Sequence, residues 1–106
     1  MRELSLRPYV GKLYVAASRE DYERGHKRLF KRPDELTVAQ VGRFSGEGND
    51  GMMTYLIWGK DAPRIAHELA HVILDVFSMC GIDPREASGE PFCYMLSQLM
   101  LEAVKK

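Results

Sequence analysis

Apolar positions along this chain fall into two kinds of run. Short stretches rich in β-branched and aromatic residues occupy Tyr9 to Ala16 (YVGKLYVA), Leu36 to Phe44 (LTVAQVGRF) and Met52 to Trp58 (MMTYLIW), and each predicts a β-strand. Longer stretches with apolar residues three and four apart predict helices over Arg19 to Phe30, over Ala62 to Cys80, and from Glu90 to Leu101.

The residues between these runs punctuate them. Ser18, with Glu20 and Asp21 behind it, forms an N-cap followed by acidic first-turn residues, while Gly25 weakens the helix that it enters. That helix has a thin apolar stripe of Tyr22, Leu29 and Phe30. Its basic run of Arg24, Lys27, Arg28 and Lys31 reads as a solvated face or as a contact for an acidic partner. Pro33 ends the helix. Ser45 to Gly51 (SGEGNDG) reads as a hairpin turn, because the Lys-Ser/Thr ending of a phosphate-binding loop is missing and a strand follows. Asp61 caps the second helix with Pro63 in its first turn, and Gly81 stops it. Ile65, Leu69, Val72, Ile73, Val76 and Phe77 wrap most of this helix, which predicts that it is central to the core. The fold class expected is α+β, a small three-stranded sheet packed on three helices, in one domain without repeats or a separating linker.

Composition narrows the function classes. With 106 residues, 45% of them hydrophobic, the chain can build one modest core and not two. Fifteen basic side chains balance fifteen acidic ones, so no overall field draws the protein to nucleic acid or anionic lipid. The start, MRELSLRPYV, carries charges where a signal peptide has an apolar core, and no segment has the length of a membrane span. A soluble cytoplasmic protein is expected. Cys80 and Cys93 both stand in apolar company, which predicts buried thiols rather than a disulfide.

The candidate chemistry lies in His67-Glu68-Leu69-Ala70-His71. Residues four apart on a helix share a face about 6 Å apart along the axis, so both imidazoles can reach one metal ion with Glu68 on the flank. That is the pattern of a water-activating zinc site, in which two histidines and a further ligand hold Zn²⁺ and the glutamate takes a proton from bound water. The plain alternative is two ordinary partly buried histidines hydrogen-bonded to backbone, with Glu68 as solvated surface. For the further ligand the sequence offers Glu90, if the last helix returns antiparallel across a short loop and brings its start beside the imidazoles. Glu90 also fits as an acidic residue complementing a helix dipole. Asp75 lies one turn past His71, Asp83 and Glu86 stand in the connecting loop, and a closed set with Cys80 and Cys93 is the remaining option, although its spacing is not that of a zinc finger. Leu74 and Phe77 occupy the glycine and third-histidine positions of the metzincin pattern, which disfavours that class.

HELAH followed after a short interval by a helical glutamate resembles the thermolysin-type arrangement of the gluzincins, a likeness that covers roughly Met52 to Leu101 and is far more specific in its first motif than in its second. It implies a zincin-like fold with the motif on a central helix. It further implies zinc held by His67, His71 and Glu90, with Glu68 as general base for cleavage of a peptide or protein substrate. Asp75 in turn resembles the fourth position of the HExxHxxxD pattern of some other zincins. Tyr94, one turn beyond Glu90, would either donate a hydrogen bond to the oxyanion or pack in the core. The family likeness also suggests that Met52 to Trp58 would pair with extended substrate if it lies on the sheet edge, with Trp58 in a pocket or in the core. A second class fits the same residues. Small proteins with HExxH and a following Glu-Pro-Phe-like helix resemble some phage-encoded proteins, which implies a non-catalytic interaction protein that binds a protein partner and has a structural or vestigial zinc site. A domain holding no metal is a third.

Overall fold

The computed structural model describes residues 1–30 and 42–105. Four strands, β1 (Arg2–Leu4), β2 (Lys12–Val15), β3 (Arg43–Glu47) and β4 (Met53–Ile57), form one sheet in the order β1-β2-β4-β3. β2 and β4 run parallel, while β1 and β3 pair antiparallel on the outside. The class is α+β, and among the described residues the sheet has four strands rather than three. The additional strand is β1, whose three residues are too few for an alternating pattern to register in the sequence.

Strand alternation sorts the core into two layers. Leu13 and Val15 of β2, with Tyr55 and Ile57 of β4, point to one face and join Leu69, Val72, Ile73, Val76 and Phe77 in the main core. Leu56, one residue out of phase, points to the other face and packs with Tyr22 and Phe30. Helix α1 (Arg19–Leu29) therefore covers one face, and α2 (Ala62–Cys80) with α3 (Glu90–Ala103) covers the other.

Local chemistry sets the helix ends. Ser18 Oγ accepts from Asp21 N at 3.1 Å, and Asp61 Oδ1 accepts from Arg64 N at 3.1 Å. Gly81 adopts the left-handed conformation at φ 71°, and its N–H together with that of Ile82 closes the last turn of α2. Gly25, the weak point of α1 by propensity, lets the helix approach the sheet: a Cβ there would stand 3.4 Å from Leu56 Cδ2 and 2.7 Å from the flexible Met1 Sδ.

The second strand expected, Leu36 to Phe44, lies outside the described residues except for its last three. β3 starts at Arg43 and continues through Ser45, Gly46 and Glu47, where the sequence predicts a turn. The turn proper is tighter, closed by Gly48 N to Met52 O at 2.8 Å and Gly51 N to Gly48 O at 3.0 Å. The expected third strand, Met52 to Trp58, contains β4, which is interior between β2 and β3. The condition under which it would pair with substrate is not met. Trp58 is half-buried against the α1-side cluster.

Cys80 and Cys93 are both exposed, free thiols, contrary to the buried pair expected. Cys80 is the last residue of α2, where the helix has run past the sheet, and Cys93 lies on the outer side of α3. Among the described residues no helix is long and apolar enough to cross a membrane.

Candidate metal centre

Helix α2 carries the motif, and its wheel decides where the motif points. At about 100° per residue, Leu69, Val72, Ile73, Val76 and Phe77 share one half of the circumference, and His67 and His71 fall close to opposite its centre. Both histidines are exposed. The apolar surroundings expected for them belong to the other side of the same helix. Their rings meet edge to face with centroids 4.8 Å apart, and among the described residues neither ring is held by a hydrogen bond or an ion pair.

Glu68 is held differently. Its side chain is largely buried, and Arg43 Nη1 donates to Glu68 Oε1 at 3.0 Å. Gly42 lies against the same carboxylate at φ +98°, where a Cβ would stand 2.7 Å from Glu68 Oε2 and 3.1 Å from Trp58 O. Trp58 N in turn donates to Gly42 O at 2.8 Å. The start of β3 is thus built around Glu68, with a glycine that leaves room for it and a guanidinium that neutralises it. Tyr22 stands near this pair, and its hydroxyl pKa is pushed up to about 12, by burial first and by the charge of Glu68 second. The sequence had no signal for Arg43 or Gly42, since neither is at a motif distance from Glu68.

Of the other candidates only Asp75 stands beside an imidazole, that of His71. α3 returns antiparallel to α2, with the ring of Phe92 against that of Phe77 at 6.4 Å. The start of α3 is therefore level with Phe77, about 9 Å along the axis beyond His71 and about 15 Å beyond His67. Glu90 is exposed at that far end. Tyr94 is 68% exposed, neither in the core nor beside the motif. Asp75 accepts a hydrogen bond from the Tyr55 hydroxyl, whose pKa is raised by burial and then by that carboxylate. It is eight residues from His67, or about 12 Å along a straight helix, too far for one ion to bind both. Asp83 is taken up by Arg85 through Nε at 3.1 Å and Nη2 at 3.0 Å. Among the described residues no three His, Cys, Asp or Glu side chains cluster as a metal set. His67 and His71 stand side by side on α2, and Glu90 does not join them in this geometry.

Beside His71, α2 and β3 enclose an open groove of about 380 Å³ lined by Arg43, Ser45, Tyr55, His71 and Asp75. Comparison of the chain with protein-family models, curated proteins and solved structures finds no match.

Proposed function

We propose that this chain is a small interaction protein that binds a zinc-type divalent cation through His67 and His71. The observation that carries this reading is the contrast within the motif: both imidazoles stand exposed with centroids 4.8 Å apart and, among the described residues, without a hydrogen bond or ion pair, while Glu68 is already committed to Arg43 at 3.0 Å. Two imidazoles one turn apart chelate a borderline cation without ordering any backbone that α2 has not already ordered. The two exposed, unpaired thiols suit a reducing compartment such as the cytoplasm. The test is zinc content by elemental mass spectrometry on tag-free wild type, His67→Ala, His71→Ala and Glu90→Ala. Zinc lost in both histidine variants and kept in Glu90→Ala is the expected result. Loss in Glu90→Ala would return that carboxylate to the site and overturn the two-donor reading.

A second reading is favoured by the groove beside His71: a zinc-dependent, gluzincin-like hydrolase acting on a peptide, with a zincin-like fold made of the sheet and the motif helix along one of its faces. A bound ion would supply Lewis acidity and a coordinated water of pKa about 7. Glu68 would have to exchange its contact with Arg43 for the proton that it accepts, and Ser45 and Tyr55 would line the substrate path. Under this reading Glu68→Gln keeps metal and loses turnover. Turnover that survives Glu68→Gln sinks it.

A further inference from the structure

We propose that the His67–His71 face of α2 is a self-association surface on which a second copy of this chain completes the coordination of one bridging zinc-type ion with its own His67 and His71. The proposal rests on the cation-binding reading above and names the partner. Closed zinc sites take four ligands in a tetrahedron. The described residues bring two to this face, and a two-fold axis through the ion supplies the same two again. The face is accessible, because both histidines are exposed and the groove beside His71 is open.

Charge selects the arrangement. With the axis midway between His67 and His71, antiparallel α2 helices set residue 64 level with residue 74 of the other copy. Arg64 then lies about 1.5 Å along the axis from the level of the partner's Asp75. A parallel arrangement would instead set Arg64 against Arg64 and Asp75 against Asp75. Both groups keep capacity for this contact. Arg64 uses Nη1 on Asp61, and Asp75 uses Oδ2 on the Tyr55 hydroxyl, leaving the remaining guanidinium nitrogens and Oδ1. Exposed Leu74 flanks the histidine row on the side away from this charge pair and gives the antiparallel contact an apolar element. Glu68 takes no part, being held by Arg43 on the flank.

The experiment is sedimentation velocity on tag-free protein, in chelator and then with stepwise zinc chloride, together with the zinc content of each species. The expected result is a shift from 12.1 kDa to about twice that mass, saturating at half an equivalent of zinc per chain and reversed by chelator. His71→Ala, on an exposed position with folding checked by circular dichroism, abolishes the shift. Arg64→Glu removes both symmetry-related pairs and weakens the dimer by up to about 30-fold, about fivefold for each exposed ion pair. A monomer that binds one zinc overturns the bridge and leaves the cation reading standing. A dimer that survives chelator or His71→Ala overturns the assignment of the surface. No zinc uptake overturns both.

Discussion

On the α2–α3 face of the sheet, Leu13, Val15, Tyr55 and Ile57 meet Leu69, Val72, Ile73, Val76 and Phe77, and the interior is apolar except for the Tyr55 hydroxyl, which Asp75 accepts. On the α1 face, Leu56, Tyr22 and Phe30 share a smaller cluster with a buried imidazole. His26 is 2% exposed, its ring stands edge-on to Phe44 at 4.5 Å, and among the described residues its Nε2 has no hydrogen-bond partner. One layer thus buries polar atoms that are satisfied, and the other buries one that is not. A buried, unpaired nitrogen costs stability in its neutral form and more when protonated. The α1 layer is therefore expected to yield first, and the α2 layer, which carries the histidine pair, to persist.

The largest test of this difference is truncation in each layer. Phe77→Ala is expected to lower unfolding free energy by about 3–5 kcal/mol, because Phe77 touches both the sheet side and α3. Phe30→Ala, at the end of α1 beside a smaller cluster, is expected to cost less. Urea unfolding of both variants measures it, and equal losses would break the comparison.

Next in size is the point where the two layers meet. Gly42→Ala places a side chain at φ +98° and 2.7 Å from Glu68 Oε2, and is expected to cost about 1–3 kcal/mol. Combining it with Glu68→Ala separates the causes. The clash with the carboxylate disappears and the backbone strain stays, so the double variant recovers part of the loss and not all. Full additivity would show that Gly42 is required by its backbone alone.

How far the sequence reveals these features depends on whether their causes are local. The span of α2 is legible because Asp61, Pro63 and Gly81 are neighbours of the helix that they bound. The histidine pair is legible for the same reason, since spacing four is enough to put two rings on one face. Their exposure was also readable from the wheel of Leu69 to Phe77, once its centre is compared with that of the histidines. The distance of Glu90 was implied too: a helix that continues nine residues past His71 carries its return about 13 Å beyond the motif. The clamp on Glu68 was not legible. Arg43 lies 25 residues earlier, and only the pairing of β3 with β4 brings it to α2. His26 was hidden likewise, because its burial depends on how α1 meets the sheet and not on its neighbours in sequence.

A smaller effect comes from pH. Burial pushes the His26 pKa below the ordinary 6.5, with the charge of Lys27 adding to it. The unfolded chain then binds a proton more readily than the folded one, so stability is full above about pH 6.5 and declines as pH falls through that value towards the lowered folded pKa. The urea midpoint should fall between pH 7.5 and pH 5.5 in wild type and fall less in His26→Leu. That variant should also gain about 1 kcal/mol at neutral pH by removing the unpaired nitrogen. An identical pH slope in His26→Leu would move the titration elsewhere and remove the main reason for calling the α1 layer the weaker one.

The smallest effect concerns the helix caps and sharpens the same contrast. Ser18 and Asp61 make the same kind of bond, each accepting one first-turn N–H at 3.1 Å, so the local loss on replacing either by alanine is similar, about 1 kcal/mol. What differs is where the loss appears. α1 contributes Tyr22 to a small cluster and can open while the main core stays closed, whereas α2 supplies Leu69 to Phe77 and cannot leave without unfolding the molecule. Native-state hydrogen exchange should show Ser18→Ala raising the opening of α1 amides about fivefold with α2 amides unchanged. Asp61→Ala should lower protection throughout, because its helix opens only with the whole. If Ser18→Ala shifted α2 amides by the same factor, the two layers would be one cooperative unit, and His26 would be a defect shared by the entire fold.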